Sequence, residues 1–220
     1  MKNFEQARTN MVDGQIHTAG VIDDGILDAF LTVPREQFVP EKLKGIAYSD
    51  EDIDIGQGRH LLEPITHARM LQMVDVCKDD VVLDIGCGAG YSSAILSPLV
   101  TTVIAVEHNK RQMDKAIKQW DSHGICNVVL IDDELAHGNP KHAPYSLIII
   151  NGAVSKVPDA IFQQLNNNGR LVTVIKNQNS VMGTVTLFRK GGNGEISSKA
   201  LFEAGTPFLK GFEVASEFVF

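Results

Sequence analysis

The stretch Val81-Val82-Leu83-Asp84-Ile85-Gly86-Cys87-Gly88-Ala89-Gly90-Tyr91 constrains this chain more than any other. Four apolar residues and an acid run into three glycines at alternate positions, and a segment rich in Ala, Ser and Leu follows. A short apolar run bounded by glycines is the pattern of a buried parallel strand. Residues 91–99 have the composition of a helix opening, with Pro98 limiting its end. Glycines at such a corner let a ligand approach the backbone, because no Cβ stands in the way. The start of the helix also offers free N–H groups to polar ligand atoms. The stretch reads as a nucleotide-type binding loop.

Spacing narrows the ligand. The dinucleotide pattern G-x-G-x-x-G needs its third glycine where Tyr91 stands, whereas here it is Gly90. Asp84, directly before the loop, would repel a pyrophosphate and suits a cationic ligand group. An acid followed by G-x-G-x-G resembles the first motif of the class I S-adenosylmethionine-dependent methyltransferases, whose ligand carries a sulfonium and an amino group and no phosphate. A second strand at 103–107 ends in Glu107, about 20 residues past the first glycine, where a carboxylate accepts hydrogen bonds from ribose hydroxyls. The resemblance implies S-adenosylmethionine as cofactor. It assigns Asp84, Gly86, Cys87, Gly88, Gly90, Tyr91 and Glu107 to its binding, with Asn151 after a later strand and Asp133 and Glu134 near the adenine.

Net charge and composition exclude several classes. A net charge of -7 argues against a phosphate-backbone partner, which would select a basic face. No apolar run approaches the ~20 residues that span a bilayer. Residues 1–6 lack the apolar core of a signal peptide. Cys77, Cys87 and Cys126 show no C-x-x-C spacing and read as reduced packing residues of a cytoplasmic protein. His137 and His142 have no partner at zinc-ligand spacing, and Asp50-Glu51-Asp52 lacks the glycine-bearing spacing of a calcium loop, so no metal is expected and the acidic run reads as a solvated turn.

In chain order, residues 3–17 form a first amphipathic helix, and Ile26, Leu27, Phe30 and Leu31 mark a second. Val33 to Pro40 is a proline-bounded connection, and Ile53-Asp54-Ile55 alternates like an edge strand. Pro64 opens a third helix that runs toward Cys77. From Val81 strands and helices alternate, the signature of a parallel α/β sheet. The strands are expected at 81–85, 103–107, 128–131, 147–151 and 171–175, and the helices at 91–99, 110–123 and 157–166. Residues 184–188 and 200–203, flanking a glycine-rich turn at 191–194, predict an antiparallel hairpin. Trp120, with Met113 and Ile117 at helical spacing, belongs to the core, and His67 reads as a packing or capping residue of the third helix. The expected architecture is a single α/β domain over residues 1–220: a Rossmann-like class I methyltransferase sheet (77–220), mostly parallel with a C-terminal antiparallel hairpin, under an N-terminal helical cap (1–76).

The cap narrows the resemblance further. Arg8, Met11-Val12, Gln15-Ile16, Gly20-Val21-Ile22-Asp23, Val33-Pro34-Arg35-Glu36, Phe38-Val39-Pro40 and Ala47-Tyr48-Ser49-Asp50 follow the protein-L-isoaspartate O-methyltransferase pattern. So do Gly56, Gly58, Pro64, Asn127-Val128 and Gly169-Arg170-Leu171-Val172. The resemblance implies methyl transfer from S-adenosylmethionine to the carboxylate of isoaspartyl residues. Where the family reads Gln-Thr-Ile-Ser, this chain reads Arg59-His60-Leu61-Leu62, so Leu62 replaces the serine credited with handling the substrate carboxylate. Leucine offers that carboxylate no hydrogen bond. The expectation is therefore a divergent branch acting on a protein carboxylate or a small molecule, with His60 as base for a protic acceptor and Arg59 steering an anionic one. The rival readings are a catalytically degenerate cofactor-binding module acting through partners, and an NAD-dependent oxidoreductase that Gly90 and Asp84 disfavour. The oligomeric state is not legible.

Overall fold

The computed structural model describes residues 3–212. Asn3 caps α1 (Phe4–Met11), which passes directly into a π-helical turn at Val12–Ile16. Asp23 caps α2 (Asp24–Thr32), its carboxylate accepting the Ile26 N–H at 2.9 Å. Two short 3₁₀ turns, Arg35–Gln37 and Glu41–Ile46, lead to an antiparallel hairpin of β1 (Ile53–Gly56) and β2 (Arg59–Leu61). Pro64 opens α3 (Pro64–Met73).

The sheet follows: β3 (Val81–Ile85), α4 (Tyr91–Leu96), β4 (Thr102–Glu107), α5 (Lys110–Ser122), β5 (Val128–Asp132), β6 (Tyr145–Val154), α6 (Asp159–Gln163), β7 (Leu165–Ile175), β8 (Gly183–Lys190) and β9 (Ile196–Ala204). Its order is β5-β4-β3-β6-β7-β8-β9, parallel from β5 to β7 and antiparallel through β8 and β9. The mostly parallel sheet with its closing hairpin is thus the one the sequence predicts. Alternate residues of β3 serve two apolar layers. Val82 joins the layer built from the N-terminal helices, α4 and α5, while Leu83 and Ile85 join Ile148, Ile150, Tyr145 and Ile161 on the other face. Glu107 and Asp84 therefore sit at or near the C-terminal ends of adjacent central strands, where open α/β sheets bind ligands.

Several expectations change. Residues 59–61 pair as a strand against Ile53–Gly56, because Arg59 and Leu61 are buried on one side of the hairpin. The helix expected over 157–166 is only α6, and Asn166-Asn167-Asn168-Gly169 belongs to β7. Asn168 adopts φ 66° there, and the register jumps from Tyr145↔Leu165 to Leu147↔Arg170, a bulge rather than a helix exit. The helix expected over 91–99 stops at Leu96. Cys87 is buried as expected, but Cys77 and Cys126 are exposed free thiols, because each lies on a turn before its strand rather than inside it. In the acidic run, Asp52 and Asp50 accept the N–H groups of Glu63 and Ile65 at 2.9 and 3.3 Å, so they cap the start of α3 rather than only facing water. Residues 1–2 and 213–220 of the expected domain lie outside the described residues. No helix among the described residues is long and apolar enough to cross a membrane.

Candidate active site

The glycine loop joins β3 to α4. Gly86, Gly88 and Gly90 take φ of 74°, 55° and 91°, the left-handed region that a side chain disfavours. Gly90 is the most constrained. A Cβ there would stand 2.7 Å from Trp120 Nε1, which itself donates to the Gly90 carbonyl at 2.9 Å. Gly90→Ala is expected to cost about 3 kcal/mol in urea unfolding, combining left-handed strain with a collision against a buried indole. A loss below about 1 kcal/mol would mean that the indole yields freely.

Asp84 is fully buried. Its carboxylate accepts from Ser92 Oγ at 2.9 Å, Ser93 Oγ at 2.5 Å and Asn151 Nδ2 at 2.6 Å. Burial pushes its pKa up, and these three donors oppose that shift. Asn151 reaches Asp84 because β6 shifts register between Ile149 and Ala153, and the extra residues re-aim its amide across β3. Cys87 is buried as well. Burial first, then the charges of Asp84 and Glu107, push its thiol well above its ordinary value, so it is inert at neutral pH.

Glu107 ends β4 with no exposure. Oε2 accepts Arg59 Nε at 2.8 Å and the Gly88 N–H at 3.1 Å, while Oε1 accepts Arg59 Nη2 and the His108 and Asn109 N–H groups, each at 2.9 Å. The bidentate contact that the sequence suggests for Arg59 toward an anionic substrate is made here with Glu107. Gln112 of α5 fixes the hairpin above the loop by donating to the carbonyls of Ile55 and Gly56 at 2.9 and 3.0 Å.

A cavity of about 370 Å³ opens beside this pair, lined by Gln57, Arg59, His108, Asn109, Glu134 and Lys210 among others. Glu134 thus lines the cavity beside the Arg59–Glu107 pair. Asp133 turns instead toward the Glu134 N–H and His137. A separate small cavity of about 10 Å³ lies between His60, Leu62, His67, Gly86, Tyr91, Ser92 and Asn151. His60 is half-buried there. Burial lowers its pKa, so the imidazole is neutral at pH 7. Leu62 is buried, and its carbonyl accepts Arg35 Nη2 at 2.8 Å. A larger groove of about 790 Å³, between α2, the end of α4 and the turn after α5, shares no residue with the loop.

The structure joins Asn151 to Asp84 and sets Glu107 against the Gly88 N–H, and it adds residues 206–212, which the sequence reading does not name. Leu209 lies over the loop: a Cβ on Gly86 would stand 2.9 Å from its methyl carbons, and one on Gly152 2.7 Å from its Cβ. The signal was faint, a Thr-Pro-Phe-Leu run after the hairpin with no periodicity of its own.

The profile of the protein-L-isoaspartate(D-aspartate) O-methyltransferases matches residues 6–205, cap and sheet together. The chain belongs to this family. The family's "Protein-L-isoaspartate O-methyltransferase" from Petrotoga mobilis is 35% identical over 174 residues, covering 79% of this chain and 82% of its own. A solved protein-L-isoaspartate O-methyltransferase superposes with a TM-score of 0.79 at 27% identity, over 91% of this chain and 65% of that one. A candidate member from Plasmodium falciparum, solved with S-adenosyl-L-homocysteine, superposes with a TM-score of 0.75 at 22% identity, covering 96% and 99% of the two chains. Membership gives the Arg59-His60-Leu61-Leu62 segment its meaning. Its first three residues form strand β2, and Leu62, just after it, lines the small cavity beside Gly86 and Asn151.

Proposed function

We propose that this chain is an S-adenosylmethionine-dependent O-methyltransferase that acts in the cytoplasm on a carboxylate of a protein or on a small molecule. The observation that carries the reading is the pair of buried carboxylates, Asp84 and Glu107, flanking a loop whose three glycines all take left-handed φ. The residues fit the cofactor in kind. Glu107 is the acceptor for ribose hydroxyls, Glu134 borders the 370 Å³ cavity as the partner for the base, and Asp84 is the carboxylate that suits the cofactor's cationic end.

Bound there, the cofactor supplies a methyl group on a sulfonium, already activated for displacement. The protein's share is orientation and exclusion of water. A carboxylate acceptor is anionic at neutral pH and needs no base. A hydroxyl acceptor would lose its proton to His60, which is neutral and borders the small cavity beside Gly86 and Asn151. Leu62 offers the acceptor an apolar wall, which favours a less polar acceptor than the isoaspartyl carboxylate.

Calorimetric titration with S-adenosylmethionine, S-adenosylhomocysteine and NAD tests the cofactor, and transfer of a labelled methyl group to an isoaspartyl peptide and to cell lysate tests the acceptor. The reading expects binding of the first two ligands, none of NAD, and label in lysate exceeding label in the peptide. Binding without label in either would leave a cofactor-binding module that has lost catalysis. Absence of binding would overturn the reading.

A further inference from the structure

Glu107 is already saturated. A carboxylate has about four acceptor sites, yet its two oxygens receive Arg59 Nε, Arg59 Nη2 and the N–H groups of Gly88, His108 and Asn109. The three backbone donors are fixed by the loop and by the turn into α5. Only Arg59 can leave. Its stem lies on the hairpin β1–β2, and it borders the 370 Å³ cavity into which a released guanidinium can turn.

Arg59 has a second attachment. Its Nη1 donates to the Lys210 carbonyl at 2.9 Å. Lys210 belongs to a strap, residues 206–212, that crosses the C-terminal edge of the sheet. Lys176 Nζ holds the Thr206 carbonyl at 2.8 Å, Ala153 exchanges backbone bonds with Pro207 and Leu209 at 2.9 Å each, and Leu209 lies against Gly86 and Gly152. The strap and the guanidinium thus cover the glycine loop and the ribose acceptor together.

We propose that Arg59 is a built-in competitor of the cofactor: its guanidinium holds the acceptor sites of Glu107 that ribose hydroxyls require, and its bond to Lys210 couples its release to lifting of the strap from the glycine loop. This rests on the cofactor reading above. It makes Arg59 an affinity-setting residue rather than a substrate contact. A cofactor meets a cleft whose competent fraction is small, and its apparent affinity is reduced by that fraction.

The test is calorimetric titration of S-adenosylhomocysteine into the wild-type protein and Arg59→Gln. Glutamine is neutral, and Glu107 keeps its three backbone donors in the variant. The variant is expected to bind about tenfold tighter. Equal or weaker binding by the variant, with the wild type binding, would overturn the competitor role while leaving the cofactor reading intact. Silence from both proteins would overturn the two together. A second readout needs no variant: the Arg59 Nε–H resonance of the wild-type protein, protected from solvent exchange by Glu107, is expected to lose that protection at saturating S-adenosylhomocysteine. Unchanged protection in the bound state would contradict displacement.

Discussion

Glu107→Ala is expected to reduce affinity for S-adenosylhomocysteine at least about a hundredfold and to destabilise the fold by about 3–5 kcal/mol, the cost of leaving a buried partner charge unpaired. Both effects have the same geometric origin. The substitution strands Arg59, which is buried, and removes the acceptor shared by the N–H groups of Gly88, His108 and Asn109. The double variant Arg59→Gln/Glu107→Ala separates them. Removing the stranded cation should restore much of the stability, read by denaturant midpoint, while binding stays lost. Recovery of binding together with stability would show that Glu107 acts only as a structural counter-ion.

Acid sensitivity centred on His67 is the second large effect. His67 lies in α3 with 2% exposure, its ring 5.4 Å from Phe30 and 6.1 Å from Tyr91. Burial first, and the charge of Arg35 second, hold its pKa down to about 3, against an ordinary value of 6.5. Above pH 6.5 neither the folded nor the unfolded chain protonates this ring. Below it the unfolded chain binds a proton that the native protein refuses until about pH 3, so stability falls as the pH falls through that window. One such group removes about 2–3 kcal/mol between pH 6 and pH 4. His67→Leu should flatten the dependence of the denaturant midpoint on pH in that interval by this amount, whatever its effect at pH 7. An unchanged slope would place the proton uptake elsewhere.

The sheet and the loop were legible because local chemistry dictates them. Apolar runs bounded by glycine admit few alternatives, and an acid at or near the end of each of two central strands is positioned by the strands themselves. Strand β2 was not legible, since Arg59-His60-Leu61 is too short and too charged to read as a strand until β1 pairs with it and Glu107 holds Arg59. The pairing of Arg59 with Glu107 spans 48 positions, and no local pattern announces it. The strap over Gly86 was hidden for a related reason. It is held by carbonyls at Pro207 and Lys210, which any sequence possesses, and its informative side chain is one leucine.

The most direct measurement is a crystal structure of the protein grown with saturating S-adenosylhomocysteine. The account predicts the nucleoside over residues 86–90, its ribose hydroxyls on the Glu107 carboxylate and its base toward Glu134. Ligand in the 790 Å³ groove beside α2, or ribose held by groups other than Glu107, would contradict it.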